Sequence, residues 1–189
     1  KSKYNEPLND PQYPVDSSDS IIISSGRLEH QKDYETLLLA FERAKRTKDN
    51  MKLFVMGTGS MLEYYLDLCQ KLKIEDDVVF LGFKTNPYQY LKGADLFVLS
   101  SRYEGSPNVL VEAMGAGIPV ISTDCPSGPM ETLEGGKNGI LIEIGDVQAM
   151  AKAILSQLEN PIGVELGLKK VKEFEASQVA KDYMRIAFE

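Results

Sequence analysis

Two cations, Arg27 and Lys32, lie close together where they could neutralise a phosphorylated ligand. Arg27 follows the apolar run Ile21-Ile22-Ile23 after two serines and Gly26, and Lys32 comes five residues later. One loop could therefore present both charges to a diphosphate leaving group, as cationic side chains do in phosphoryl chemistry. A lone Arg or Lys is by default surface charge, so this interpretation depends on the rest of the chain.

A predicted helix start near residue 107 is the strongest local feature. Ser106 is a residue type that favours the N-cap, and Pro107 suits the first helical position. The amides of Asn108 and Val109 are then expected to point out of the helix start, where free N–H groups and the helix dipole bind anions. The alternative is a capped helix without a ligand.

Two carboxylates, Glu104 and Glu112, flank that helix start. The helical segment from Val109 to Met114 is apolar on every side but the one that carries Glu112, so we expect this carboxylate to be buried and to need a partner. A ribose diol would satisfy both oxygens, and the alternative is pairing with local backbone or a surface gap. Glu104 could face the same pocket and bind sugar hydroxyls, or it could be a solvated loop acid.

Several other kinds of site are disfavoured. Gly57-Thr58-Gly59 opens a G-x-G turn, but Leu62 occupies the third position where a dinucleotide fingerprint needs glycine, which argues against a nicotinamide or flavin site. The chain has no Asp-x-Asp triplet, so nothing indicates a metal that chelates a diphosphate. His30 is the only histidine, which excludes a histidine cluster within the chain and favours an ordinary loop role.

The composition is that of a globular domain with one sizeable core. Of 189 residues, 43% are hydrophobic and 26% are charged, and the net charge of −7 argues against a nucleic-acid-binding groove. No apolar run reaches the roughly 20 residues of a membrane-spanning helix. We expect Cys69 to be a core residue and both it and Cys125 to be free thiols in a reducing cytosol, with one disulfide as the alternative. The start at Lys1 suggests an excised fragment.

Apolar runs that do not alternate, separated by helical patterns, predict the elements that position these residues. Strands are predicted at Ile21–Ile23, Leu53–Met56, Val78–Leu81, Leu96–Leu99, Val120–Ile121 and Ile140–Ile142, and helices near 33–47, 60–72, 88–91, 107–115 and 147–158. This alternation is typical of an α/β, doubly wound, Rossmann-like parallel sheet of about six strands. Such folds bind ligands outside the carboxyl ends of the strands, in the loops that carry the candidate residues. We expect a lead-in or linker over 1–19, a binding domain over 20–162 and a helical tail over 163–189.

Taken in order, the motifs resemble the retaining GT-B glycosyltransferases (glycosyl transferases group 1), whose C-terminal domain binds the nucleotide sugar. The matching segments are Ser-Gly-Arg-Leu with its later Lys, Met-Gly-Thr-Gly, Val-Val-Phe-Leu-Gly, Ala-Asp-Leu-Phe-Val-Leu-Ser-Ser, the two glutamates, Glu-Ala-Met-Gly-Ala-Gly-Ile-Pro-Val-Ile-Ser and Gly-Asp-Val-Gln-Ala-Met-Ala. They cover about residues 20 to 160. Each segment is weak alone, whereas the ordered set is specific.

The resemblance implies a role for each matching position. Arg27 and Lys32 look like the pair that holds the donor diphosphate. Glu104 looks like the glutamate that touches donor-sugar hydroxyls, and Glu112 like the one that binds the ribose. The expected donor-binding residues are Gly26, Arg27, Lys32, Gly57, Phe83, Lys84, Glu104, Gly105, Ser106, Pro107, Asn108, Val109 and Glu112. Among these, Arg27, Lys32 and Glu104 are expected to be catalytic, and Phe83-Lys84 to border the base pocket.

The resemblance also implies an activity. A hexose or N-acetylhexosamine would pass from a nucleotide sugar, expected to be UDP-linked, to a glycan or lipid-linked acceptor with retention and without a metal or other cofactor. An N-terminal acceptor domain that this sequence lacks would be required, so the chain alone is expected not to transfer. The full-length enzyme would be cytoplasmic and peripheral at the inner face of the membrane. The Cys125–Pro129 loop resembles bacterial enzymes that build lipid-linked or surface glycans.

Three alternatives remain open on the sequence. A non-catalytic sugar-nucleotide-binding module would use the same residues. Another GT-B enzyme, such as a sugar-nucleotide epimerase or a phosphorylase with a pyridoxal cofactor, would share the fold. A nicotinamide dehydrogenase is disfavoured by Leu62.

Overall fold

A computed structural model of the protein describes residues 8, 10–13 and 18–172. The strands are β1 (Ser20–Ser25), β2 (Met51–Met56), β3 (Val78–Gly82), β4 (Leu96–Leu99), β5 (Val120–Thr123) and β6 (Ile140–Ile142). The helices of this part of the chain are α1 (Tyr34–Lys45), α2 (Leu62–Leu72), α3 (Pro87–Leu91), α4 (Asn108–Gly115), α5 (Pro129–Thr132), α6 (Val147–Glu159) and α7 (Val164–Val171). Two short 3-10 turns, at His30–Lys32 and Glu134–Gly136, accompany them.

All six strands form one parallel sheet in the order β3-β2-β1-β4-β5-β6. The predicted α/β doubly wound sheet is therefore confirmed. Between β1 and β4 the strand order reverses, and the loops after these two strands leave the sheet side by side. Ligands of doubly wound folds bind in the crevice at this topological switch point.

Apolar residues fill both faces of the sheet, which explains why the strands do not alternate. Ile22 belongs to a core shared with α1, α2 and α6, whereas Ile21 and Ile23 belong to a second core shared with α3 and α4. Cys69 is buried in the first core as predicted, and both Cys69 and Cys125 are free thiols. The protein thus positions the strand ends between two helical layers.

The start of α4 differs from the prediction. Pro107, not Ser106, occupies the N-cap position, and the Asn108 amide donates to the Ser106 carbonyl at 2.9 Å. The expected Ser106 cap and the outward-pointing Asn108 amide are therefore wrong. Pro107 is buried against Gly128, where a Cβ would lie 2.3 Å from the proline Cδ, and this tertiary contact overrides the local capping preference.

Lys32 lies just before the start of α1. It ends the 3-10 turn, and Asp33 caps α1 in a left-handed conformation (φ 47°) while its carboxylate accepts from the Thr36 amide. The other bounds of the predicted helices lie within two residues of those in the structure. No helix within the described residues is long and apolar enough to cross a membrane.

Part of the predicted lead-in packs onto the domain. Tyr13 is 2% exposed, donates a hydrogen bond to the Tyr90 carbonyl at 2.8 Å and lies against the Phe54 ring. At the other end, α7 begins the predicted helical tail and packs on α4, and residues 173–189 lie outside the described residues. The boundaries at 19/20 and 162/163 stay predictions.

Candidate functional site

A cavity of about 320 Å³ opens at the carboxyl ends of β1, β2 and β3, beside α4. Its lining consists of Ser25, Gly26, Arg27, Met56, Gly57, Thr58, Phe83, Lys84, Pro87, Val109 and Glu112. The structure thus brings Arg27, Glu112 and five other predicted donor-binding residues to one cavity. Ser25, Met56, Thr58 and Pro87 are additions to the predicted set; the first three follow from the strand-end rule, whereas nothing in the sequence indicates Pro87.

Backbone forms one side of this cavity, where the loops after β1 and β2 meet. The Gly57 amide donates to the Gly82 carbonyl and the Gly26 amide to the Met56 carbonyl, both at 2.9 Å. A Cβ on Gly57 would lie 1.9 Å from the Gly26 carbonyl oxygen, and Gly57 has a φ of +137°. Only glycine satisfies both constraints, so a ligand can approach the main chain closely here.

Glu112 lies on the cavity side of α4, but it is exposed rather than buried. The predicted burial is wrong because the cavity opens along this side of the helix. Surrounding protein nevertheless raises the pKa of the Glu112 carboxyl above its usual value by partial desolvation. This carboxylate is suited to a ligand that donates hydrogen bonds.

Lys32 and Glu104 form an ion pair beside the cavity, at the switch point. The Lys32 Nζ lies 2.5 Å from the Glu104 Oε1, and the two side chains are only 12% and 7% exposed. The Ser101 hydroxyl donates to the same carboxylate oxygen. Lys32 also passes close to Gly26, where a Cβ would lie 2.8 Å from its Cε. The ion pair therefore joins the loop after β1 to the loop after β4.

The turn that begins at Glu104 packs against the Cys125–Pro129 loop. The Glu104 amide donates to the Pro126 carbonyl at 3.0 Å, and Pro107 packs on Gly128. Gly105, Ser106 and Asn108 are exposed and do not line the cavity, whereas Val109 does.

The two cations that line the cavity have different partners. Lys84 Nζ lies 2.7 Å from Asp10 Oδ2, which also accepts from the Tyr90 hydroxyl at 2.7 Å. Hydrogen bonds from Lys84 and Tyr90 lower the pKa of Asp10 to about 2. Arg27 is exposed and donates to the neutral side chain of Gln31 at 2.8 Å. Arg27 is thus better placed to meet an anionic ligand.

Comparisons with known proteins give relatives that are glycosyltransferases. An uncharacterized glycosyltransferase of Methanocaldococcus jannaschii is 38% identical over 68% of this chain and 32% of its own length. A Campylobacter jejuni N-acetylgalactosamine-N,N'-diacetylbacillosaminyl-diphospho-undecaprenol 4-alpha-N-acetylgalactosaminyltransferase is 30% identical over 88% of this chain and 46% of its own length. The chain thus spans less than half of these relatives.

A solved structure and a family model complete the comparison. A mutant of S. aureus TarM, in complex with fondaparinux, alpha-GlcNAc-glycerol and UDP, superposes with a TM-score of 0.80 at 25% identity, over all of this chain and 39% of TarM. Residues 5–175 match the family described as Glycosyl transferases group 1. This chain belongs to that family and is a C-terminal domain of the GT-B kind.

Proposed function

We propose that this domain binds the nucleotide-sugar donor of a glycosyltransferase in the 320 Å³ cavity. The observation that carries the proposal is that Arg27 and Glu112, 85 residues apart in sequence, face one cavity at the carboxyl edge of the sheet. Arg27 would bind the diphosphate, and Glu112 would accept hydrogen bonds from the ribose hydroxyls. Phe83, which is 74% exposed, would offer its ring to the base.

The donor sugar would lie toward the switch point. There Glu104 would accept from sugar hydroxyls, and the exposed residues Gly105, Ser106 and Asn108 would present their backbone. Lys32 is paired with Glu104, and it is close enough to Gly26 to reach a diphosphate placed beside Arg27. Both cations would then stabilise the charge that develops on the leaving group.

Transfer would break the bond between the anomeric carbon and the diphosphate oxygen and form one to an acceptor hydroxyl oxygen. We propose that configuration is retained and that the departing diphosphate oxygen, close to the acceptor, takes the hydroxyl proton. The donor is proposed to be a UDP-hexose or UDP-N-acetylhexosamine, supported by the UDP bound to TarM and the N-acetylgalactosaminyl transfer named for the Campylobacter relative. That relative's name also supports a lipid-linked or glycan acceptor. We propose in addition that the full-length enzyme is cytoplasmic and peripheral at the inner face of the membrane.

Holding an acceptor against the anomeric carbon can contribute roughly 7–11 kcal/mol to catalysis. The roles proposed here for Arg27, Glu112 and Phe83 all concern the donor, so we propose that acceptor binding needs a further domain. This chain alone is expected to bind the donor and to transfer nothing. A transfer assay with glycan and lipid-linked acceptors tests this, because repeated turnover by the chain alone would contradict it, and transfer by a full-length enzyme would exclude a non-catalytic module.

Donor binding is expected to be independent of divalent metals. Arg27 and Lys32 supply the positive charge that a metal would otherwise supply to the diphosphate. Isothermal titration of UDP should give the same affinity with EDTA as with magnesium or manganese, and ADP or GDP in place of UDP would report base preference. Loss of UDP affinity in EDTA that manganese restores would contradict metal independence. Undetectable UDP binding at millimolar concentration by folded protein would contradict the donor site itself.

Glu112→Gln is expected to weaken UDP binding and to raise thermal stability at neutral pH. The raised pKa of Glu112 means that the folded state binds a proton more readily than the unfolded state. Its contribution to stability is complete below the usual value of 4.5 and is lost as the pH rises through the raised value. The Glu112→Gln variant should therefore gain in Tm at pH 7 and not at pH 3.5.

Glu143→Gln is the matched control, since Glu143 is an exposed acid that does not line the cavity. It should leave UDP affinity and the Tm at neutral pH unchanged. Unaltered UDP binding by Glu112→Gln would remove the ribose role from Glu112.

A further inference from the structure

We infer that Gln31 is a positioning residue that aims the Arg27 guanidinium at the donor diphosphate and ties it to the loop that carries Glu104. The inference rests on the proposed donor site, because it gives Arg27 a ligand to meet. Gln31 does not line the cavity, and it is not among the residues predicted to bind the donor. The evidence for this role is the pair of hydrogen bonds that the Gln31 side-chain amide forms.

Both ends of the Gln31 amide are used. Its Oε1 accepts from Arg27 Nη2 at 2.8 Å, and its Nε2 donates to the Tyr103 carbonyl at 2.9 Å. Reversing the amide would set two donors against each other at Arg27 and two acceptors at Tyr103, so the contacts fix its orientation. A neutral side chain that accepts at one end and donates at the other is what this position requires.

The backbone around Gln31 is held by the same neighbouring loop. The Arg102 amide donates to the Gln31 carbonyl at 2.8 Å, and the Ser100 hydroxyl donates to the Lys32 carbonyl at 2.7 Å. Arg102 also forms a 3.1 Å ion pair with the buried Asp33. The 3-10 turn His30–Lys32 is thus fixed to the loop after β4 through Gln31 and the two residues that follow it.

This anchoring has a consequence for Arg27. An exposed arginine samples many rotamers, and binding must restrict them at a cost in entropy. Gln31 restricts the guanidinium before the ligand binds. Because Gln31 donates to the carbonyl of Tyr103, the residue directly before Glu104, the same contact fixes Arg27 relative to Glu104. The cation for the leaving group and the carboxylate for the sugar are therefore positioned together.

The test is a double-mutant cycle read with two ligands. Arg27→Ala, Gln31→Ala and the double variant are titrated with UDP by calorimetry and with uridine by ligand-observed NMR. Gln31→Ala should weaken UDP binding about five- to tenfold, the effect expected when one long side chain has to be ordered on binding. It should leave uridine binding unchanged, and it should have no further effect in the Arg27→Ala background. Gln31→Glu should weaken UDP at least as much, because its charge opposes the diphosphate and it cannot donate to the Tyr103 carbonyl.

The outcomes separate the two proposals. If Arg27→Ala binds UDP as the unaltered protein does, the diphosphate role of Arg27 fails and the proposed site with it. If Arg27→Ala weakens UDP but Gln31→Ala does not, the positioning role is wrong. A loss on Gln31→Ala that is equal in both backgrounds, or that extends to uridine, would also overturn it, because it would reveal a general structural defect.

Discussion

Lys32→Met is expected to lower the free energy of unfolding substantially. The substitution preserves most of the side-chain length but leaves the Glu104 carboxylate, 7% exposed, without its cation. Removing one partner of a fully buried pair costs about 3–5 kcal/mol, and the residual exposure and the Ser101 hydroxyl should reduce the loss here to about 2 kcal/mol. In urea denaturation, this loss of stability should appear as a lower midpoint concentration with an unchanged m value.

The double variant Lys32→Met/Glu104→Gln provides the control for this effect. It removes the unpaired charge as well, so most of the lost stability should return, whereas binding of a UDP-sugar should not. A single variant as stable as the unaltered protein would show that the pair contributes nothing to folding. A double variant no more stable than the single one would show that the loss arises from packing rather than from charge.

Among glycine-to-alanine substitutions in the described part of the chain, Gly57→Ala is expected to lower the free energy of unfolding most. The added Cβ would lie 1.9 Å from the Gly26 carbonyl oxygen, and the φ of +137° is one that alanine rarely adopts. Because the obstacle is backbone, the loop after β1 must move, and Arg27 moves with it. Overpacking and backbone strain each cost about 1–3 kcal/mol, so a loss of about 3 kcal/mol and of UDP binding should follow.

Gly105→Ala is the matched comparison for that substitution. A Cβ added to Gly105 would have no heavy atom within 4 Å, and its φ is not positive, so stability should change by less than about 0.5 kcal/mol. Equal denaturation midpoints for Gly57→Ala and the unaltered protein would refute the close backbone contact.

The fold could be predicted from the sequence because its strands are short apolar runs bounded by polar or glycine residues. The bounds of β4 and β6 coincide with the predicted runs Leu96–Leu99 and Ile140–Ile142. The position of Arg27 and Glu112 at one edge follows from the rule that parallel strands end on the same side. Their roles stay predictions, since geometry alone places no ligand.

The remaining features depend on contacts between distant parts of the chain. Lys84 meets Asp10, 74 residues away, and Gln31 meets Tyr103, 72 residues away, and no periodic pattern encodes either pair. The prediction of an N-cap at Ser106 is wrong for the same reason, because the contact of Pro107 with Gly128 determines the backbone conformation at the start of α4. The predicted burial of Glu112 is wrong because a helix pattern does not reveal where a groove lies open.

The reversal of strand order at the centre of the sheet also determines when the cavity can exist during folding. Residues 25–87 supply most of its lining, but Val109 and Glu112 come from the half of the chain that joins through β4. Pairing of β1 with β4 closes a loop of some seventy residues, a non-local event that is slow compared with forming local helices. A folding intermediate that contains only β1 to β3 would have the glycine turns and Arg27 but no complete pocket. A nucleotide that binds as proposed would therefore stabilise only the finished domain, and it would not stabilise the nascent chain before α4 has docked.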